Sequence, residues 1–263
     1  MDTLYAMVTG ASEGLGKSFA LELAAKEIPL VLVSLPGTGL PQLSSFIQKN
    51  FAVPVVYFEM DLTDTDKYAA LFKTMQEQKV QINTLINNAG IGNWSWFEEK
   101  STCFYKKQIE LNVITPVLLT KMFLDQTIKD APSYILNVGS LGGTFVVPKK
   151  GVYGATKSFI SYFTKCLRLE LSRTNVRVSL LSPGGINTKP ELLVLNHSLK
   201  GISKATILEP EEVAKAAIKG LLRGKKEIVP GTLNKLLLVL NSLLPSFIKE
   251  LIIKNKLKTI LNT

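Results

Sequence analysis

The sequence predicts an α/β fold, with a single domain built on a doubly wound parallel sheet and helices on both faces. Seven short apolar runs, rich in β-branched residues, alternate with segments of helical spacing. Continuous apolar runs of this length are typical of strands covered on both faces, and the alternation favours strand–helix–strand units. Such sheets bind ligands at the carboxyl ends of their strands. The runs are residues 3–9, 29–34, 54–60, 82–88, 133–139, 176–182 and 226–229.

Two of the intervening segments carry clear helix signals. Residues 14–26 place Leu15 and Phe19 on one stripe, and residues 210–223 open with a proline and two glutamates, which favour the start of a helix. No internal repeat, low-complexity linker or change of composition divides the chain. We therefore expect one domain over residues 1–231.

Residues 232–263 are expected to form an apolar, basic helical extension of the same domain. Pro245 interrupts this stretch, which therefore predicts two short helices. Three roles stay open for it: packing against the core or a second subunit, lying on a membrane surface that attracts its lysines, or closing over the site as a lid. The long link at residues 184–208 is also expected to be a lid or a binding segment.

The composition limits the function further. No run approaches the roughly 18 apolar residues of a membrane span, and the first apolar stretch lacks the flanks of a signal peptide, so a cytoplasmic protein is expected. Two cysteines and one histidine, His197, indicate neither a disulfide framework nor a metal site. The net charge of +10 is spread along the chain without an RNA-binding signature. It is interpreted as attraction for an anionic cofactor, with no nucleic-acid partner expected.

The first run leads directly into the motif TGASEGLG, which opens a helix. Glycine at Gly10, Gly14 and Gly16 suits a tight turn, close approach of the backbone to a pyrophosphate, and close packing of the helix on the sheet. The helix start offers unpaired amides to the phosphates. The spacing is G-x-x-x-G-x-G rather than the common dinucleotide fingerprint. The motif predicts a dinucleotide site that also includes Ser12 and Leu15.

Two further strand ends are candidate cofactor contacts. Asp61 and Leu62 follow the third run, where the Asp61 carboxylate either accepts a hydrogen bond from adenine or caps the helix that follows. Asn88, Ala89 and Gly90 follow the fourth run and are expected to border the crevice in which the cofactor lies. A buried asparagine here must find hydrogen-bonding partners, which favours a structural network beneath the cofactor.

The choice between the two nicotinamide cofactors depends on the end of the second run, VLVSLPGTG. It carries no acid to bind a ribose 2′-hydroxyl and no arginine to bind a 2′-phosphate. Ser34 and the amides of Gly37 to Gly39 can receive a phosphate, whereas Glu13 would oppose one if it pointed inward. The sequence therefore favours NADP(H) weakly over NAD(H).

The fifth run delivers Ser140 at its carboxyl end, and the motif YGATK follows thirteen residues later. Tyr153 and Lys157 are four residues apart, so on a helix they share one face. A phenol has a pKa of about 10, and a neighbouring ammonium favours the phenolate and lowers that pKa. Ser140 can hold the substrate oxygen against Tyr153. These residues predict an acid–base pair for hydride transfer at a carbonyl or alcohol carbon.

Taken together, these motifs resemble the short-chain dehydrogenase/reductase family over about residues 3–230. The resemblance implies a Rossmann fold with strand order 3-2-1-4-5-6-7 and the four catalytic positions Asn112, Ser140, Tyr153 and Lys157. It implies that Lys157 binds the nicotinamide ribose and depresses the tyrosine pKa. It also implies that Asn112 holds a helix kink and a water of the proton relay. The motifs are TGASEGLG, NNAG, ELNV, the serine at 140, YGATK and SPGGINT.

The same resemblance implies a segment beside the nicotinamide, and dimers or tetramers built from the two long helices that flank the sheet. Within SPGGINT, this segment comprises Pro183, Gly184, Ile186 and Thr188. The tail beyond residue 231 exceeds the basic family plan and is similar to tails in branches that reduce ketones on lipids, steroids or long acyl chains.

The substrate is expected to be a bulky hydrophobic ketone. Trp94 and Trp96 lie after Gly90, where they either line a substrate pocket or pack their own loop onto its helix. Two rival functions stay open: a non-catalytic dinucleotide-sensing or scaffold protein on the same fold, and a nucleotide-sugar epimerase or dehydratase. The intact Tyr153–Lys157 pair argues against the first, and the glycine spacing and chain length argue against the second.

Overall fold

Seven parallel strands form one sheet in the order β3-β2-β1-β4-β5-β6-β7, which confirms the predicted Rossmann topology. The computed structural model describes residues 3–128, 131–188 and 202–261. The strands are β1 (Leu4–Thr9), β2 (Leu30–Ser34), β3 (Val55–Glu59), β4 (Gln81–Asn87), β5 (Ser133–Val138), β6 (Val176–Leu181) and β7 (Glu227–Ile228). Each lies within the apolar run that predicted it, to within one residue.

Helices cover both faces of the sheet. The two predicted from sequence are α1, which ends two residues earlier than expected, and α8, which ends one residue earlier. The helices are α1 (Gly14–Ala24), α2 (Leu40–Phe51), α3 (Lys67–Glu77), α4 (Thr102–Ile109), α5 (Thr115–Asp125), α6 (Gly151–Glu170), α7 (Ile202–Ala205), α8 (Pro210–Leu222), α9 (Thr232–Leu243) and α10 (Ser246–Leu261).

The strands are apolar without alternation because each one is buried on both sides. Successive residues of β2 belong to different cores: Leu30 and Leu32 pack with α1, α2 and α8, whereas Val31 and Val33 pack with α3 and α5. Phe19 of α1 is fully buried in the first of these cores. Side chains that point alternately to the two faces therefore need apolar character at every position.

The order of the strands fixes where a ligand can bind. β1 lies between β2 and β4, so the chain leaves β1 in one direction and returns on its other side. At such a switch point the loops that follow the two central strands diverge and leave a crevice at the carboxyl edge of the sheet. The TGASEGLG and NNAG motifs both lie at this edge.

The C-terminal region contains two helices, α9 and α10, with Pro245 between them. No helix in the described parts of the chain has the length and apolar character needed to span a bilayer. The assignment of residues 232–263 as an extension of the main domain stays a prediction. Most of the link at 184–208, with His197, lies outside the described residues.

The buried face of α1 gives a test of the first core. We expect Phe19→Ala to lower the free energy of unfolding by about 3–5 kcal/mol, because it removes a fully buried ring and leaves a cavity. The control is Phe46→Ala on α2, whose ring is half exposed and whose loss should cost about 1 kcal/mol or less. Urea denaturation of both variants measures the difference, and equal losses would contradict this packing.

Candidate active site

The glycine turn after β1 is shaped by close packing rather than by side chains. Gly10 and Gly14 adopt positive φ angles of 63° and 51°, which other residues rarely adopt. A Cβ at Gly16 would overlap the carbonyl oxygen of Gly10. The side chain of the N-cap residue, Glu13, accepts no hydrogen bond from the first amides of α1, and the first turn of this helix contains no acid. The amides at this helix start are therefore placed as an anion site requires.

Asn88 holds the glycine turn against the end of β4. Its side-chain amide donates to the carbonyl of Thr9 at 2.9 Å, and the Thr9 hydroxyl accepts from the amides of Asn88 and Ala89, each at 3.0 Å. The same hydroxyl donates to Ile86. Sequence reasoning missed Thr9, although its place directly before Gly10 is a signal that could have identified it. The two loops at the crevice are thus joined by one buried hydroxyl.

Hydroxyl groups gather where β2 ends. The Oγ atoms of Ser12 and Ser34 are 2.7 Å apart, and Thr38 donates to Ser34 at 3.3 Å. The amide of Gly37, expected to be available for a phosphate, instead donates to the Glu59 carboxylate at 3.0 Å. Glu59 reaches it because the two strand ends are in register. Sequence reasoning missed this acid because it follows the third strand rather than the second.

The prediction that Asp61 caps the helix that follows is wrong, because α3 begins at Lys67 with Asp66 at its N-cap. The Asp61 carboxylate instead closes the turn that follows β3. Its Oδ1 accepts from the amide and hydroxyl of Thr63, both at 2.9 Å, and its Oδ2 lies 3.1 Å from the ammonium of Lys107. Partial burial acts to raise the pKa of Asp61, but these hydrogen bonds outweigh it and lower the pKa. The carbonyl of the neighbouring Leu62 accepts from Thr115 at 2.7 Å. An adenine contact by Asp61 stays a prediction.

Tyr153 projects from the first turn of α6 into the space between two loops. Its ring packs against Gly92, where a Cβ would lie 3.2 Å from the ring edge. Burial raises the pKa of Tyr153, and the hydrogen bond with Ser140 only partly offsets this. The expected lowering of this pKa by Lys157 is wrong for the structure as it stands. Desolvation is the dominant effect on the phenol, and the Lys157 ammonium lies 5.8 Å from the ring centroid.

Lys157 lies one turn along α6 from Tyr153 and is almost fully buried. Its Nζ donates to the carbonyl of Val138 at 2.8 Å, and no carboxylate pairs with it within the described chain. Burial lowers the pKa of Lys157 to about 8. A Cβ at Gly90 would lie 3.6 Å from this Nζ. The ammonium is therefore directed to the crevice edge at which the cofactor is expected.

Asn112 lies in a π-helical turn, Glu110–Ile114, that joins α4 to α5. Its side chain binds both backbone groups of Ile91, each at 2.9 Å, and donates to Thr156 at 3.1 Å. Thr156 in turn donates to the carbonyl of Tyr153 at 2.7 Å. A wider helical turn is a frequent device at functional sites. Here it turns Asn112 inward, so that one side chain links the loop after β4 to the catalytic helix.

The segment after β6 returns to the glycine turn. The carbonyl of Pro183 accepts from the amide of Leu141 at 2.9 Å, next to Ser140. Ile186 forms a bridge with Leu208, and a Cβ at Gly14 would lie 2.9 Å from the Cβ of Thr188. Gly184 packs against Asn234 of α9. Of the four predicted positions, Pro183 and Thr188 therefore contact the loops that carry Ser140 and the glycine turn. A contact of Gly184 or Ile186 with the nicotinamide stays a prediction.

A cavity of about 370 Å³ lies between the loop after β4 and the loop that precedes α6. Lys149 places its ammonium 4.7 Å from the Trp96 ring centroid, and Lys150 lies between the rings of Trp94 and Tyr153, at 5.2 and 5.5 Å. Burial lowers the pKa of Lys150. Trp96 lines this cavity and Trp94 does not. A role for either tryptophan in binding substrate stays a prediction. The apolar lining residues are Trp96, Phe97, Tyr105, Val146, Val147, Pro148 and Val152.

Comparison with known proteins assigns this arrangement to a family. A family model described as short chain dehydrogenase matches residues 4–192. The chain belongs to the short-chain dehydrogenase family. Over 221 residues it is 31% identical to the very-long-chain 3-oxoacyl-CoA reductase of Macaca fascicularis, covering 82% of this chain and 67% of that protein.

Two further relatives support the reaction class of this short-chain dehydrogenase. The chain is 32% identical over 218 residues to a 3-oxoacyl-(acyl-carrier-protein) reductase of Buchnera aphidicola, covering 81% of this chain and 87% of that protein. A short-chain dehydrogenase from Sphingobium yanoikuyae, solved in complex with NADPH, is 26% identical, with a TM-score of 0.77 over 92% of this chain and 97% of that one. The protein is an NAD(P)-dependent oxidoreductase that acts on a carbonyl group.

The structure of this short-chain dehydrogenase fits a nicotinamide dinucleotide. The glycine turn lets a ligand approach the backbone at the start of α1. At the other end of the crevice, the buried ammonium of Lys157 has only a backbone carbonyl as partner within the described residues.

The burial of Lys157 predicts a conflict between stability and catalysis. Its folded-state pKa lies below the unfolded value, so the unfolded chain binds more protons between about pH 8 and 10.5 and the protein gains stability as pH rises through that window. We expect Lys157→Met to raise the free energy of unfolding at pH 7 by roughly 1–3 kcal/mol while abolishing turnover. Urea denaturation at pH 7 and 10 measures this gain, which should shrink at the higher pH.

Lys165→Met on the same helix is the control for this prediction. Lys165 is exposed, so its replacement should leave stability nearly constant at both pH values. A Lys157→Met variant that is less stable than the parent at pH 7 would contradict the desolvation argument.

Proposed function

We propose that the protein reduces a bulky hydrophobic ketone to the alcohol, with NADP(H) as the preferred cofactor. Tyr153 donates the proton to the carbonyl oxygen, Ser140 holds that oxygen, Lys157 binds the nicotinamide ribose, and Asn112 positions the loop and the relay behind them. The observation that carries the proposal is the convergence of these four side chains at one end of the crevice.

Each residue has a distinct task in this reaction. The bound cofactor supplies the hydride. Ser140 and Tyr153 are hydrogen-bonded to each other, so a carbonyl oxygen placed between them receives two donors and is polarised. The raised pKa of Tyr153 keeps the phenol protonated and ready to act as an acid in the reducing direction. Lys157 lies one helical turn from Tyr153 and offers a buried ammonium that would bind the nicotinamide ribose.

The cavity that Gly151 and Val152 help to line, directly before Tyr153 in the chain, supports an apolar substrate. Its wall is formed mainly by aromatic and aliphatic side chains, and its size suits a chain or ring system rather than a small polar ketone. Relatives named for 3-oxoacyl substrates are consistent with this choice. We propose a ketone with a long apolar substituent, of which a 3-oxoacyl thioester is one example.

Replacing Tyr153 by phenylalanine tests the acid directly. We expect Tyr153→Phe to lower kcat for ketone reduction by roughly 10²- to 10⁴-fold, because the proton donor is lost while the ring packing stays. Binding of the reduced cofactor, followed by nicotinamide fluorescence, should change little. Tyr162→Phe is the matched control, since Tyr162 lies on the same helix but is exposed. A wild-type protein that binds cofactor but turns over no ketone would favour the scaffold function.

The preference for NADP(H) rests on the end of β2. Ser34, Thr38 and Ser12 offer hydroxyl groups where a 2′-phosphate would lie, and the strand end carries no acid of its own. Glu59 opposes this preference, since its carboxylate is bound to the Gly37 amide within the same loop. We propose that this carboxylate keeps the preference for NADP(H) modest.

Glu59→Gln is expected to strengthen NADPH binding about two- to fivefold and to leave NADH binding constant. Glutamine keeps an acceptor for the Gly37 amide while removing the charge. Fluorescence titration with both cofactors gives the two dissociation constants for each variant. Glu77→Gln, an exposed acid at the end of α3, is the control. Tighter binding of NADH than NADPH by the wild type would overturn the proposed preference.

Three further proposals concern the oligomeric state, the cellular location and the membrane contact of the enzyme. We propose a dimer or tetramer formed through the long helices beside the sheet, a cytoplasmic location, and peripheral contact with a membrane through residues 232–263. Basic, apolar character in the tail supports the last of these.

A further inference from the structure

The C-terminal helices expose apolar side chains at helical spacing. On α9 these side chains recur at the three- and four-residue intervals of one helix face, and α10 exposes further apolar side chains beyond the break at Pro245. Among the described residues, neither helix packs along another helix or strand. A contiguous apolar surface of this kind marks an interaction site. The stripe consists of Leu236, Val239, Leu240, Leu243, Phe247 and Leu251, each between 46% and 74% exposed.

The positive charge of residues 232–263 indicates which kind of partner the stripe binds. Residues 232–263 contain five lysines and one acid, Glu250, and that acid is paired with Lys254 at 2.9 Å. A second copy of the chain would bring an equally basic surface and would be repelled. Anionic phospholipid head groups would attract the lysines while the leucines enter the boundary of the acyl chains. The combination of apolar stripe and basic charge therefore favours a membrane surface.

The start of α9 is bound to the rim of the catalytic crevice. Asn234 is buried, and its side-chain amide donates to the carbonyls of Thr206 at 3.1 Å and Pro230 at 3.0 Å. Its Oδ1 lies 2.7 Å from the point at which a Cβ on Gly184 would stand. Leu236 follows two residues later, about 3 Å along the helix axis. The apolar stripe thus begins at the segment that borders the proposed nicotinamide site.

We infer that α9 and α10 dock on an anionic phospholipid surface and hold the crevice rim, residues 184–188 and 206–208, next to the bilayer. An apolar ketone dissolved in the lipid then enters the site without crossing water. The docking itself is independent of catalysis, whereas the delivery of a ketone rests on the proposed function.

Vesicle flotation tests the docking. The full-length protein should float with vesicles of phosphatidylcholine containing phosphatidylglycerol, and bind less to phosphatidylcholine alone or at high salt. Leu240→Glu should weaken binding about tenfold or more, because a charge replaces an inserted leucine. Leu222→Glu on α8 is the matched control, since the two leucines are exposed to nearly the same extent, 43% and 46%, and it should bind like the wild type.

Several outcomes would overturn the docking. These are an absence of wild-type binding to anionic vesicles, equal binding by Leu240→Glu and wild type, or equal losses in both variants. If Leu240→Glu instead converts a dimer into a monomer in sedimentation equilibrium while the wild type does not float, the stripe covers a second copy of the chain.

Turnover with two ketones tests the delivery. Leu240→Glu should reduce a long-chain ketone presented in anionic vesicles several-fold more slowly than the wild type, and reduce a short water-soluble ketone at the wild-type rate. Equal rates on the vesicle substrate would overturn the delivery. Flotation without turnover of any ketone by the wild type would refute the proposed function and leave the docking intact.

Discussion

The catalytic site depends on keeping a positive charge in a place that water barely reaches. The ammonium of Lys157 is buried against the carbonyl of Val138, and its pKa falls to about 8 because burial disfavours the charged form. Close-packed apolar cores on both faces of the sheet supply the stability that offsets this cost. The same burial raises the pKa of Tyr153. Desolvation therefore shifts the pKa values of Lys157 and Tyr153 in opposite directions, because it disfavours the charged form of each.

Around Lys157, hydrogen bonds connect the loops that follow the strands to one another and to α6. Parallel strands end at one edge of the sheet, so loops that are far apart in sequence meet there. Thr9 joins the first loop to the fourth strand, Asn112 joins that strand's loop to α6, and Pro183 joins the sixth strand's loop to Ser140. Each of these hydrogen bonds uses a buried or partly buried polar group, and at least one partner of each group is a backbone atom. The distances among catalytic groups therefore follow from the sheet order.

Most of the fold could be predicted from sequence because it depends on local patterns, and the same is true of the placement of Tyr153 one helical turn from Lys157. Apolar runs mark strands buried on two faces, glycine spacing marks the turn, and the four-residue interval aligns Tyr153 with Lys157. Pairings between distant segments could not be predicted in this way. The bond from Gly37 to Glu59 requires the register of β2 and β3, and the packing of Asn234 on Gly184 requires the path of the tail. The direction of the Tyr153 pKa shift could not be predicted either. Burial of the phenol raises this pKa, and burial depends on the fold rather than on the four-residue spacing between Tyr153 and Lys157.

The contact between Gly92 and the Tyr153 ring has a consequence for how such an enzyme can diversify. A side chain at position 92 would crowd the ring edge at 3.2 Å, so drift at this position would displace the proton donor. Phe97 and Val146, which line the cavity and are mostly exposed, carry no such restriction. Under the proposed function, selection can therefore exchange these cavity residues while the phenol stays fixed, which separates the evolution of specificity from that of the chemistry.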